Sequence, residues 1–217
     1  MQIADRVSLW GGKKSPLPPG ARWVEYLEST GTQWIDTGTL VEMTDKVDCT
    51  FELTAYGNVT LAGARVDSSN YSLAIWAYTS TGRCIRFDLL SNGYGNVVQS
   101  ITPTIGREYK VSKIGASNFV DGVRVNGNTS VAYAPVRTCY LFALNNGGTA
   151  SFIGNCRIKS FSIGNKIKFA PIAIGTTGYM LDLVSGEYLP YGNKGTGEFI
   201  VGPDAPAMTG GGISAYA

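Results

Sequence analysis

Carboxylates are the only side chains here that could form a catalytic pair, because the 217 residues include no histidine. Without imidazole there is no Ser-His-Asp or Cys-His nucleophile and no His-ligated metal centre. Glycoside hydrolysis remains open, and it needs two carboxyl groups about 5–10 Å apart across the scissile bond. Asp48 and Glu52 are spaced to share a strand face. However, Val47, Cys49, Phe51 and Leu53 alternate with Asp48, Thr50 and Glu52, which is the pattern of a half-buried strand with its polar residues in solvent. Glu25 and Glu28 fall on opposite strand faces, and Asp182 and Glu187 flank a Ser185-Gly186 turn. No glycine-rich phosphate loop leads into a helix. The expectation is a protein that is not an enzyme.

Metal chemistry is as sparse. Cys49, Cys84, Cys139 and Cys156 form no CxxC pair, and each lies in a strand-like segment. Buried free thiols are expected in preference to disulfides or a zinc site. Calcium favours clustered acidic oxygens. Asp67 with Asn70, and Asp121, are the loop candidates, but no loop carries three acidic ligands. No cofactor is expected, with calcium the disfavoured alternative.

What remains is surface recognition. Sugars stack their C–H faces on aromatic rings, while Asn, Asp and Arg hydrogen-bond the hydroxyls. Trp76 and Tyr78 share a strand face opposite Leu73 and Ile75, although large aromatics of this kind also fill sandwich cores. Tyr94 stands between glycines in an Asn92–Asn96 loop, with Arg65 and the Asn145-Asn146 turn as polar candidates. The candidate ligand-binding set is therefore Arg65, Trp76, Tyr78, Tyr94, Asn145 and Asn146.

Positioning these residues requires strands. Helix formers are few, while Gly, Thr, Val, Ile and Tyr abound. Strand patterns recur at Lys46–Thr54, Leu61–Arg65, Tyr71–Tyr78, Cys84–Leu89, Glu108–Ile114, Thr138–Leu144, Cys156–Ile163, Gly178–Leu183 and Gly197–Val201. Asp121-Gly122 and Asn126-Gly127 are tight-turn signals. The apolar phase slips between Ile158 and Phe161, which predicts a bulge. Some 12 to 14 strands without helices make an all-β sandwich or jelly roll. The net charge is +2 with 16% charged residues, without the basic clustering that nucleic acid requires. No apolar run reaches membrane-spanning length. Residues 1–22 read as an arm: Val7, Leu9 and Trp10 form an apolar patch ahead of the Ser15–Gly20 proline-rich linker. Residues 203–217 read as a flexible tail rich in Gly, Ala and Pro.

Two motifs bracket the 23–202 domain. Val24 to Gly38 reads VEYLESTGTQWIDTG. Tyr179 to Tyr188 reads YMLDLVSGEY, followed by Gly195-Thr196-Gly197-Glu198-Phe199. Together with the Phe119–Gly127 hairpin, this chain resembles the concanavalin A-like (laminin G-like) β-sandwich modules of phage and prophage tail or fibre proteins and of bacterial surface proteins. The resemblance implies a two-sheet antiparallel jelly-roll sandwich and a lectin-like module for bacterial surface polysaccharide. It also implies a place on a tail fibre, baseplate or capsid surface. The first six residues lack a secretion-signal pattern, which fits a virion protein made in the host cytoplasm. The arm would contact other virion subunits, in a homo-oligomer. The alternatives are a purely structural capsid decoration or head-fibre subunit and a bacterial cell-surface adhesin module.

Overall fold

Alternating apolar residues, interrupted by Gly, Asn and Asp turns, lay the chain out as strands. The computed structural model describes residues 17–67, 72–80, 82–91, 94–125, 127–129 and 134–205. Strands β1 to β6 are Ala21–Trp23, Leu27–Thr30, Ile35–Asp36, Lys46–Leu53, Val59–Arg65 and Ser72–Tyr78. Strands β7 to β12 are Arg86–Ser91, Tyr94–Gln99, Glu108–Ile114, Ser117–Val120, Val123–Val125 and Tyr140–Leu141. Strands β13 to β18 are Leu144–Asn146, Thr149–Ser151, Asn155–Ile163, Ile167–Ile174, Thr177–Asp182 and Ile200–Val201. A single 3-10 turn, Leu189–Tyr191, is the helical element among the described residues.

The strands form a two-sheet jelly-roll sandwich. The first sheet runs β1-β16-β15-β4-β9-β10-β11, with β17 on β16 and β2 joining β15 to β18. The second runs β14-β13-β5-β6-β7-β8, with β12 linking β5 to β3. The named pairings are antiparallel, apart from β13 alongside β5. From β4 and β9, Phe51, Tyr109 and Val111 face Leu61, Ile75, Phe87 and Leu89 of the second sheet within one core. Each is at most 1% exposed, and burying a side chain of this size contributes about 2–3 kcal/mol. All four cysteines are buried and unpaired. Burial pushes the Cys139 thiol up to about 12 and those of Cys49 and Cys156 in the same direction, which keeps them inert.

One polar cluster interrupts this core. Lys113, 1% exposed, donates from Nζ to Asn118 Oδ1 at 3.1 Å and Asn128 Oδ1 at 2.6 Å. Asn128 donates in turn to the Phe87 carbonyl. This ties the segment after β11 to the other sheet. Burial lowers the Lys113 amine to about 8, against an opposing pull from Asp88.

The two bracketing motifs clasp one another. Gln33 Oε1 accepts from Thr30 N at 2.8 Å, and Gln33 Nε2 donates to the Thr196 carbonyl at 3.1 Å. Lys194 N donates to the Trp34 carbonyl at 2.8 Å. Gly195 lies so close to Thr32 that an added Cβ would sit 1.8 Å from its carbonyl oxygen, so only glycine fits. Buried Asp182 organises the following turn, accepting from Lys168 N and Val184 N on Oδ1 and from Ser185 N and Oγ on Oδ2. The ends of the domain also meet. Arg22 pairs with Asp204, and Ala205 N donates to the Trp23 carbonyl at 3.1 Å.

Several sequence expectations change. Tyr94 opens β8, opposite Ser91, so Tyr94 to Asn96 belong to a strand and not to a loop. The Thr138–Leu144 strand is broken at Phe142, whose φ of 66° turns the chain between β12 and β13. Asn145 and Asn146 lie in β13, and the turn falls on Gly147-Gly148. Ala21 and Arg22, assigned to the arm, pair with β16. Strand β16 was not anticipated. The bulge appears as a register shift between Ile158 and Ser160. The hairpin at Asp121-Gly122 has φ values of 51° and 77°, as a type I′ turn requires.

Candidate functional site

Strands β5, β6 and β7 turn Ala62, Ile75 and Phe87 inward in one cross-strand row, so their alternate residues build an outer face. Cross-strand register sets its middle row: Leu144 beside Gly63, Gly63 beside Ala74, and Ala74 beside Asp88. Gly63 must be small, because a Cβ there would stand 2.7 Å from the Ala74 Cβ. On this low floor, Trp76 lies down with Ala74 and Leu144 in a small second apolar cluster.

Trp76 is 4% exposed and Asp88 1%. Asp88 is saturated: Trp76 Nε1 donates to Oδ2 at 2.9 Å, and Arg86 Nε and Nη2 donate at 2.6 and 2.9 Å. The Arg86 guanidinium also sits 5.2 Å from the Trp76 ring centroid. These contacts fix the indole as a floor and not as an exposed plate.

The exposed plate is Phe152. Its ring packs 5.2 Å from that of Trp76 and is 40% exposed. Its φ is 52°, which is uncommon and strained for a bulky residue. The Phe152 carbonyl accepts from Thr60 N, which holds the bend. Arg65, at the end of β5, places its guanidinium 5.7 Å from the Phe152 centroid. Arg65 Nε donates to Asn146 Oδ1 at 3.0 Å. Its Nη1 and Nη2 have no hydrogen-bond partner among the described residues. Burial pushes the guanidinium below its ordinary range, with Arg86 adding to the fall and Asp88 and Asp67 opposing it.

Of the candidate ligand-binding residues, Arg65, Trp76 and Asn146 come together. Asn145 is 2% exposed and holds the β13–β14 turn, donating to the Thr138 carbonyl and accepting from Gly148 N. Tyr78 is 8% exposed, belongs to the main core and packs 4.9 Å from the exposed ring of Tyr56. The Tyr94 side chain, Asn70, and the arm residues Val7, Leu9 and Trp10 lie outside the described residues and side chains. Asp121 is committed to Arg107 and to Lys110 N. No group of three His, Cys, Asp or Glu side chains able to hold a metal occurs among the described residues.

Sequence reasoning missed Phe152, Arg86 and Asp88. Asp88 and Arg86 were legible as the polar residues of an alternating strand opposite Trp76. No sequence signal marks Phe152, because its role depends on a backbone bend that phenylalanine rarely adopts.

No protein-family profile and no curated protein matches this sequence. Among solved structures, the chain is similar to the CBM40 of the Ruminococcus gnavus IT-sialidase, at 10% identity and a TM-score of 0.48. That match covers 64% of this chain and 89% of that one. The same domain bound to alpha2,3 sialyllactose gives a TM-score of 0.49. The NanB sialidase of Streptococcus pneumoniae is similar at 14% identity and a TM-score of 0.47 over 67% of this chain, which spans 26% of that one. These are likenesses of shape, at identities too low to carry a residue's role across.

Proposed function

We propose that this chain is a non-enzymatic, concanavalin A-like carbohydrate-binding module that attaches a phage or prophage virion to bacterial surface glycans. It would be displayed on a tail fibre, baseplate or capsid surface and joined to other virion subunits through residues 1–22. The observation that carries the binding role is Phe152, an exposed ring held in a strained backbone conformation beside Arg65 and Asn146. Strain of about 1–3 kcal/mol persists only where the surroundings impose it. An exposed aromatic flanked by hydrogen-bonding groups is the minimal platform for a pyranose. Glu28 and Glu52, which face one another across Arg157, support the non-enzymatic reading. The guanidinium between them bonds both carboxylates at 2.7 and 2.6 Å, in the space a glycosidic bond would need.

Binding of the purified chain and its Phe152→Ala variant to a bacterial surface-glycan array tests this. Saturable binding by the parent, at least tenfold weaker in a variant of unchanged melting temperature, supports the module. Binding to no glycan would leave the purely structural virion role.

A further inference from the structure

Resting on that glycan-binding reading, we infer that the ligand is an acidic sugar whose carboxylate docks end-on against Nη1 and Nη2 of Arg65. Three observations converge on this group.

The first is charge. The outer face gathers Arg65, Arg86 and Asp88, with Asp67 two residues beyond Arg65. Asp88 is fully committed to Arg86 and Trp76. Asp88 and Asp67 attract the Arg65 guanidinium through space, but no ion pair between Arg65 and a carboxylate occurs among the described residues, so its tip has no carboxylate in contact. A half-buried guanidinium whose tip touches no carboxylate carries a desolvation cost, and burial accordingly opposes its protonated form. A carboxylate supplied by the ligand removes that cost.

The second is shape. Asn146 Oδ1 fixes the Nε edge at 3.0 Å and Phe152 backs the guanidinium plane. The remaining donors are the two parallel N–H groups at the tip. That fork matches a planar carboxylate bidentately, a geometry an ammonium cannot reproduce.

The third is the neighbouring apolar surface. The exposed part of Phe152 lies beside the fork, so an anion on Arg65 sets a sugar ring against the aromatic face. A free inorganic anion would use Arg65 alone. An acidic sugar uses both.

Isothermal titration of the whole chain with 3′-sialyllactose, a uronic-acid oligosaccharide and lactose separates the possibilities. The inference expects at least one acidic probe to bind tenfold or more tightly than lactose, and to weaken as salt rises. Its methyl ester should lose that advantage. Arg65→Gln should abolish the acidic preference at least tenfold while melting no lower than the parent, since it removes a half-buried charge that burial disfavours. Arg65→Lys should fall between them. Preference for sialyllactose or for the uronic acid identifies which carboxylate source the site takes. Equal binding of neutral and acidic probes, or acidic binding unchanged in Arg65→Gln, would overturn the carboxylate inference. If such binding were still lost in Phe152→Ala, the glycan-binding site itself would stand. Binding of no probe, together with silence on the glycan array, would overturn both.

Discussion

Of the arginines that lie over aromatic rings in this sandwich, Arg157 and Arg65 have surroundings that differ in one respect. On the outer face of the first sheet, Arg157 sits 4.6 Å from the Tyr26 ring centroid and bonds both Glu28 and Glu52. On the second sheet, Arg65 sits over Phe152 with Asn146, a neutral partner, in place of a carboxylate. The electrostatics follow. Hydrogen bonding to Glu28 raises the proton affinity of Arg157, whereas burial lowers that of Arg65. The first sheet adds Lys159–Glu108 and Lys46–Asp48 pairs. Internally compensated charge gives solubility and a little stability. A guanidinium tip with no carboxylate in contact, beside an exposed ring, is open to a partner from outside.

The comparison can be broken in four ways. The largest effect is expected at Asp88. Asp88→Asn leaves Arg86 half-buried without its counter-ion, and losing one member of a buried pair costs about 3 kcal/mol. Urea unfolding should show this. A loss below about 1 kcal/mol would mean that the floor of the site is not built on Asp88. Next, Asn146→Asp gives Arg65 the carboxylate it lacks and should make it resemble Arg157. Acidic-glycan binding should drop at least tenfold with stability unchanged or slightly raised, and retained binding would show that the missing charge is irrelevant.

The third test lies between the sheets. The folded amine of Lys113 titrates near 8, below its ordinary 10.5. Between these values the unfolded chain holds a proton that the folded one has released, so stability rises with pH. The gain amounts to about 1 kcal/mol from pH 8 to 9. From about pH 8 upward the buried thiols of parent and variant alike act in the opposite sense, because the unfolded chain releases their protons first. Melting curves of the parent and Lys113→Met over pH 7.5–9 should differ by that slope. Parallel curves would place the amine's charge outside the balance. The smallest effect is expected for Arg157→Gln on the outer face of the first sheet, at or below about 1 kcal/mol. A cost approaching that of Asp88→Asn would erase the distinction between the two faces.

The sequence displayed the sandwich through its alternations. Val47, Cys49, Phe51 and Leu53 all face the core, and β9 has the bounds its pattern predicts, Glu108–Ile114. Turn chemistry was legible at Asp121-Gly122 because two consecutive positive-φ positions suit few residues. Strand β16 escaped because Pro171 argues against a strand interior, yet it pairs opposite Met180 while its carbonyl accepts from Val24 N. The candidate site was half visible. Trp76, Arg65 and Asn146 stand out by type, but a residue's burial and the direction of a ring are set by register between distant strands. Phe152 reaches the face through a local bend, and Tyr78 joins the main core instead of that face. Neither effect has a signature in the spacing of residues.

The junction of Arg22 with Asp204 and of Trp23 with Ala205 makes this fold nearly circular. A domain whose ends are neighbours can be spliced into a surface loop of another protein without stretching its host. It can also be opened elsewhere. A permutant of the domain with Ala21 and Ala205 joined by a short linker and new ends at Gly175-Thr176, in the turn between β16 and β17, should melt within a few degrees of the unpermuted domain. A permutant that failed to fold would show that the order in which the strands are made matters as well as their final arrangement.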